Sequence, residues 1–182
     1  MNNKKIFIFV GPSGAGKTTL IDKIKDELNI PNLITHTTRA KRIGEVDGKN
    51  YHFVSVEEFN KLDKIEYTKY SENFYGLSKK EIDNKLKYND KVLITQEKSG
   101  ALKTKEIYGD SVKIIYLYVS LETMRQRMRD RGDSEESINK RINNAISSNE
   151  FENIKIADYV LINEDGMLKN NIELFKTILS FN

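Results

Sequence analysis

The sequence predicts a three-layer α/β fold, a central parallel sheet covered by helices, and two patterns carry that reading. Short β-rich runs alternate with stretches of helical period along the chain. Several of those runs are apolar on successive residues, as strands buried on both faces must be. The strands fall near 6–10 (IFIFV), 33–36, 92–96 (VLITQ), 114–119 and 159–162 (YVLI), and the helices near 17–28, 99–107, 121–131, 134–149 and 167–180. The βαβα order implies right-handed crossovers. Between His36 and Asp90 the pattern changes to polar loops with Gly44 and Gly48, a short alternating strand at 51–55 and a helix near 78–88, which reads as a small inserted lobe. The two prolines, Pro12 and Pro31, form no linker, so one domain over 1–182 is expected.

Composition excludes several classes of chemistry. Thirty Lys and Arg against 27 Asp and Glu leave a formal net charge of +3, with 38% hydrophobic residues, a balance that folds. No cysteine occurs, which removes disulfides, thiolate zinc sites and a cysteine nucleophile. The apolar run Ile6 to Val10 is far short of the roughly 20 residues of a membrane span, so a cytoplasmic protein without a membrane partner is expected. A charge of +3 with no basic tail gives no reason to expect a nucleic-acid partner.

The first strand runs directly into Gly11-Pro12-Ser13-Gly14-Ala15-Gly16-Lys17-Thr18, which fits G-x-x-x-x-G-K-[ST] at every specified position. A helix follows with an apolar face of Leu20, Ile21, Ile24 and Leu28. Motif and context together predict a P-loop NTPase-type core. Glycines let the backbone wrap phosphates closely, successive N–H groups and the positive helix end point at them, Lys17 adds a mobile charge, and the Thr18 hydroxyl can ligate Mg²⁺. A nucleoside triphosphate with Mg²⁺ is therefore expected, held by Gly11, Ser13, Gly14, Ala15, Gly16, Lys17, Thr18 and Thr19.

All seven arginines cluster, at Arg39 and Arg42, at Arg125, Arg127, Arg129 and Arg131, and at Arg141, while lysines scatter. Guanidinium forks suit phosphate, so the clusters suggest anion binding, with plain helix-surface charge as the alternative. In 121–131 the apolar stripe is Leu121, Met124 and Met128. At about 100° per residue Arg127 and Arg131 flank it, while Arg125 and Arg129 lie about 160° from Arg127. In the next helix Ile138, Ile142 and Ala145 form the buried face, and Arg141 reads as sitting inside it, where a charge needs a partner. Arg127, Arg131 and Arg141, with Lys17, are the candidate catalytic groups; arginines snorkelling from an interface are the alternative. Asp133-Ser134-Glu135-Glu136 reads as a capping signal, and His36 and His52 as lobe-packing residues.

The segment Thr37-Thr38-Arg39 through Phe53 resembles guanylate kinases, matching their T-T-R-x-x-R-x-G-E-x-x-G-x-x-Y-x-F pattern without a gap. Phe74-Tyr75-Gly76, Arg127, Arg131-Gly132, Glu135 to Arg141 and Tyr159 to Asn163 extend the resemblance from the first strand to the last. It implies a core (1–35, 90–125 and 150–182), a nucleotide-monophosphate lobe near 36–89 and a lid near 126–149, with ATP and GMP converted to ADP and GDP. It further implies that Arg39, Arg42, Tyr51 and Tyr75 hold the acceptor phosphate, that Thr35 belongs to that site, that Glu66 and Glu97 read the base, and that Asn163 touches the adenine ring.

Physics is compatible with that set. A nucleoside monophosphate already presents an anionic nucleophile, so no general base is needed. Glu66 and Glu97 suit guanine, whose N1–H and N2 amine are adjacent donors; each glutamate alone reads more readily as a solvated surface charge, and only the whole set overturns that. The sequence departs from the family at Leu77, where a small hydroxyl residue is usual, and at Thr95, where an aspartate is. Ser78 is the neighbouring hydroxyl able to substitute for the first. These departures keep open a related kinase acting on another phosphorylated acceptor, such as a ribose bisphosphate. A noncatalytic guanylate-kinase-like module is a further alternative, against which Lys17 and Thr18 argue.

Overall fold

The computed structural model describes residues 4–70 and 72–182. The elements run β1 (Lys5–Val10), α1 (Lys17–Leu28), β2 (His36–Thr37), β3 (His52–Phe53), α2 (Val56–Lys61), β4 (Lys64–Tyr70), β5 (Asn73–Ser78) and α3 (Lys79–Tyr88). They continue with β6 (Lys91–Thr95), α4 (Lys98–Tyr108), β7 (Val112–Tyr118), α5 (Leu121–Asp130), α6 (Glu135–Ser147), β8 (Tyr159–Ile162) and α7 (Leu168–Ser180), with a 3₁₀ turn over Glu150–Ile156.

Four strands form a parallel sheet in the order β6-β1-β7-β8. Side chains alternate across a strand, and β1 shows the consequence. Phe7 and Phe9 pack with Leu20, Ile24 and Phe175 on one face, while Ile6, Ile8 and Val10 pack with Leu33, Ile82, Ala101 and Tyr116 on the other. Both faces of the sheet are covered at β1, which produces the three layers, while the edge strand β8 leaves Val160 and Ile162 exposed. Parallel strands share a direction, so their carboxyl ends meet at one edge, and the strand order reverses about β1, the position at which open α/β sheets bind ligands.

The expected strand over 33–36 does not join this sheet. Asn32 makes a single parallel bridge to Leu93, and Leu33 N–H donates to Leu93 O at 2.8 Å. Then Ile34 N–H turns to Glu81 Oε1 at 3.0 Å instead of a strand neighbour. With its donor taken by a side chain, the ladder ends and the chain crosses to a second sheet, where His36–Thr37 is β2.

That second sheet runs β3-β2-β5-β4 and includes a β4–β5 hairpin that the polar stretch 64–78 did not reveal from sequence. Its register shifts between Lys64 and Glu66, a bulge of the kind that re-aims a side chain. Ile65 there is buried in the core, and Glu66 next to it faces α4. Phe59 of α2 stacks on Phe74 at 5.6 Å between centroids, sealing the outer side of the hairpin. Ser55 and Glu58 form a reciprocal capping box that starts α2.

Candidate active site

Two cavities open along the carboxyl edge of the parallel sheet. The first, about 570 Å³, is lined by the loop after β1 and the start of α1, by Arg127 and Arg131 of the α5 end, and by the turn after β8. The second, about 530 Å³, lies between the two sheets. Lys17 lies on the walls of both.

In the first cavity Gly16 precedes α1 with φ near +83°, and a Cβ there would lie 2.5 Å from Asn163 Nδ2, so both backbone and space demand glycine. Ser13, Gly14, Gly16, Lys17, Thr18 and Thr19 line the wall; Ala15 is buried behind it and Gly11 sits at the end of β1. Lys17 Nζ donates to Gly11 O at 2.5 Å and Pro12 O at 3.0 Å. Burial lowers its ammonium pKa, opposed by Glu97 and Glu150. Arg127 Nη2 donates to Asn163 O at 2.8 Å and Asp165 Oδ1 at 2.9 Å, while its Nη1 is buried with no partner. A buried guanidinium N–H without a partner leaves an unmet donor on a residue that lines the cavity. Arg131 lines the same cavity and pairs with Asp133, Nη2 to Oδ2 at 2.5 Å. Arg125 and Arg129 turn the other way, to Asn139 and Glu135 of α6.

Arg141 is not inside the buried stripe. Ile138, Ile142 and Ala145 are buried as expected, but Arg141 is exposed at their edge, and its Nη1 donates to Ser13 Oγ at 3.3 Å, with Asp133 Oδ2 3.9 Å from its Nε. A long cation one position off the stripe keeps its charge in water and still reaches the loop.

The second cavity brings together Thr35, Tyr51, Glu66, Tyr75 and Glu97. Ser99 Oγ donates to Glu66 Oε2 at 3.2 Å, and burial pushes the Glu66 carboxyl up. Glu97 immediately precedes α4. Arg39 stands behind this wall, its guanidinium 5.6 Å from the Tyr51 ring centroid and paired with Glu45 at 2.7 Å. Arg42 stays exposed on its loop, where its N–H donates to Glu45 Oε2. Leu77 is buried and apolar on the cavity wall, and Ser78 does not replace it, because its buried Oγ accepts Glu81 N–H to cap α3. Thr95 lies exposed on the same wall.

Sequence reasoning missed several residues. Thr68, Gln96 and Ser99 join the second wall, and Glu164, Asp165 and Gly166 the first. The turn Asn163-Glu164-Asp165-Gly166 directly after a parallel strand was a usable signal, since ligands gather at strand carboxyl ends. Burial pushes the Glu150 carboxyl up, and Glu97 nearby pushes it the same way while Lys17 opposes; an isolated acid in a polar stretch carried no signal. The His36 and His52 rings lie 4.7 Å apart, tilted by 35°, and His52 Nε2 lies 3.0 Å from Glu81 Oε2, so both serve lobe packing.

Against known families, the model described as guanylate kinase matches residues 3–180. The chain belongs to the guanylate kinase family. It is 39% identical over 175 residues to a guanylate kinase of Francisella tularensis subsp. tularensis (strain FSC 198), covering 90% of each chain. A guanylate kinase of Hydrogenovibrio crunogenus is 37% identical over 164 residues, 87% of this chain and 79% of that one. The crystal structure of guanylate kinase from Anaplasma phagocytophilum superposes with a TM-score of 0.69 at 29% identity, covering 97% of this chain and 85% of the other. A shikimate kinase from Bacteroides thetaiotaomicron, 15% identical with a TM-score of 0.54, shares the fold alone. Membership of this family makes the protein a kinase, a transferase acting on nucleotides. Among the described residues no helix is long and apolar enough to cross a membrane.

Proposed function

We propose that this protein transfers the γ-phosphoryl group of ATP to GMP, with ATP in the first cavity and GMP in the second. The observation that carries the reading is Lys17 on both walls, since a cation shared by two anion sites is what transfer between two phosphates requires. Two unit charges 4 Å apart repel by about 4 kcal/mol at an effective dielectric near 20, and two phosphate groups meet with several such pairs. Lys17, the orphaned Arg127 Nη1, Arg131, Arg141 above Ser13 and Arg39 behind Tyr51 and Tyr75 offset that repulsion and hold the reactants in line. The acceptor phosphate oxygen forms a bond to Pγ as the bond from Pγ to the β-bridging oxygen breaks, and ADP leaves; no general base is needed. Glu66 and Glu97 accept the guanine N1–H and N2–H, and Asn163 lies beneath the adenosine end.

Thr18, exposed on the first wall, is the residue that would hold Mg²⁺. Among the described residues no three His, Cys, Asp or Glu side chains gather to bind a metal, which fits a cation that keeps its waters and takes phosphate oxygens. When bound it supplies charge against the β- and γ-oxygens. In this reading residues near 36–89 form the acceptor lobe and residues near 126–149 a lid, closing on the core at 1–35, 90–125 and 150–182 to exclude water. Such work belongs in the cytoplasm, where ATP is supplied. A purely structural module has no use for the triphosphate loop and the unpartnered guanidinium. ADP release measured with ATP against GMP, dGMP, AMP, UMP and ribose phosphates tests the reading: turnover is expected with GMP and dGMP, and turnover confined to other acceptors, or absent from the folded protein, overturns it.

A further inference from the structure

Asn163 and Asn171 are both buried, and their amides form a directed chain. Asn171 Nδ2, in the first turns of α7, donates to Ile162 O at 3.0 Å and to Asn163 Oδ1 at 2.9 Å. Asn163 Nδ2 in turn donates to Ala15 O at 2.7 Å. An amide nitrogen carries two protons and an amide oxygen none, so both donors of Asn171 are committed and the Asn163 oxygen is held toward α7. The direction cannot be reversed. Turning the Asn163 amide over would set its oxygen against the Ala15 carbonyl and its NH₂ against that of Asn171. Turning both would set the Asn171 oxygen against Ile162 O, a backbone acceptor. Two like poles facing each other in buried surroundings are costly, so Ile162 O fixes the polarity of the whole chain.

What the chain holds at its far end is the Ala15–Gly16 peptide. A trans peptide carries its C=O and N–H on opposite sides, so anchoring Ala15 O on Asn163 turns the Gly16 N–H away from Asn163. Gly16 is also the residue that opens α1, packed so closely that a Cβ would lie 2.5 Å from Asn163 Nδ2. Asn171 itself lines neither cavity.

We propose that Asn171 is a positioning residue for the phosphate loop: from α7 it orients the Asn163 amide and, through it, the Ala15–Gly16 peptide at the start of α1. The proposal rests on the reading of the first cavity as the ATP site. The test uses full-length Asn171→Ala and the isosteric Asn171→Asp, which places an acceptor where the Asn163 oxygen needs a donor. They are compared with the parent, with Asn163→Ala and with the double alanine variant. ATP with Mg²⁺ is titrated by calorimetry, which needs no turnover. KM for ATP and for GMP are read separately from ADP release, with thermal midpoints to establish folding.

Both Asn171 variants are expected to weaken ATP binding and raise its KM about tenfold, the scale of one lost buried hydrogen bond, while KM for GMP stays within about twofold. The double variant is expected to bind ATP no worse than Asn163→Ala. Equal losses for ATP and GMP, unchanged ATP affinity, or additive losses in the double variant overturn the proposal. If Asn171→Ala does not fold, Asn171→Asp decides alone. A parent that binds ATP without phosphorylating GMP sinks the proposed reaction and leaves this inference standing; a parent that does not bind ATP overturns both.

Discussion

Glu66 keeps its place in the second cavity because residue 100 has no side chain. A Cβ at Gly100 would overlap the Glu66 carboxylate, so the first turn of α4 and the bulged strand β4 approach on the strength of one missing methyl. The carboxylate is the far end of a flexible side chain and can swing away, and alanine in place of glycine inside a helix gains up to about 1 kcal/mol. Gly100→Ala should therefore leave the thermal midpoint unchanged or raised while raising KM for GMP about tenfold or more and sparing KM for ATP. Coincident losses in stability and in both KM values would show that Gly100 serves packing alone. Nothing in the sequence pointed to Gly100, because its role exists only once strand and helix, distant along the chain, are folded together. The place of Lys17 on the cavity wall was legible for the opposite reason: the carbonyls it donates to, Gly11 O and Pro12 O, are its own neighbours along the chain.

Helix α5 shows how far periodicity carries. Of the apolar stripe, Met124 and Met128 are buried while Leu121 at the helix start is exposed, and the arginines sort around it as 3.6 residues per turn requires: Arg127 and Arg131 to the first cavity, Arg125 and Arg129 to α6. Arg127→Ala is expected to lower kcat/KM by about 10²-fold or more, since it removes a preorganised donor from the transferring phosphoryl group. Arg129→Ala, two residues away, should stay within about twofold in the same ADP-release assay, and similar losses in both variants would overturn the division of the helix. Periodicity also read β1, α1, β6, β8 and α7 to within a residue or two, because each buries a face in the sheet core. It failed at β4–β5, where Lys64, Glu66, Thr68 and Lys69 leave no clean apolar alternation, and at 33–36, where apolar Leu33 and Ile34 are buried but Glu81 takes the N–H that a strand needs. Arg141 was misplaced by one position on its helix, a distance its own length makes good.

Across the molecule, the parallel sheet and the hairpin sheet bring two cavities to one lysine. The first cavity is lined by residues that follow the carboxyl ends of β1 and β8, by Arg127 of α5 and Arg131 just after it, and by Leu168 at the start of α7, while the second is closed by the inserted sheet and by the loop after β6. The geometry makes one demand that neither cavity makes alone: the two occupants must lie end to end, with their phosphates meeting at Lys17. A single molecule carrying adenosine at one end of a phosphate chain and guanosine at the other should then fill both cavities and inhibit competitively against ATP and against GMP. It should also bind more tightly than either mononucleotide, because one association replaces two. Competition with one substrate alone would mean that the cavities do not share an axis, whatever each binds separately. Lys17→Ala sharpens the comparison: removal of the shared cation should weaken this two-headed ligand by a larger factor than it weakens GMP, since only the linked phosphates meet there.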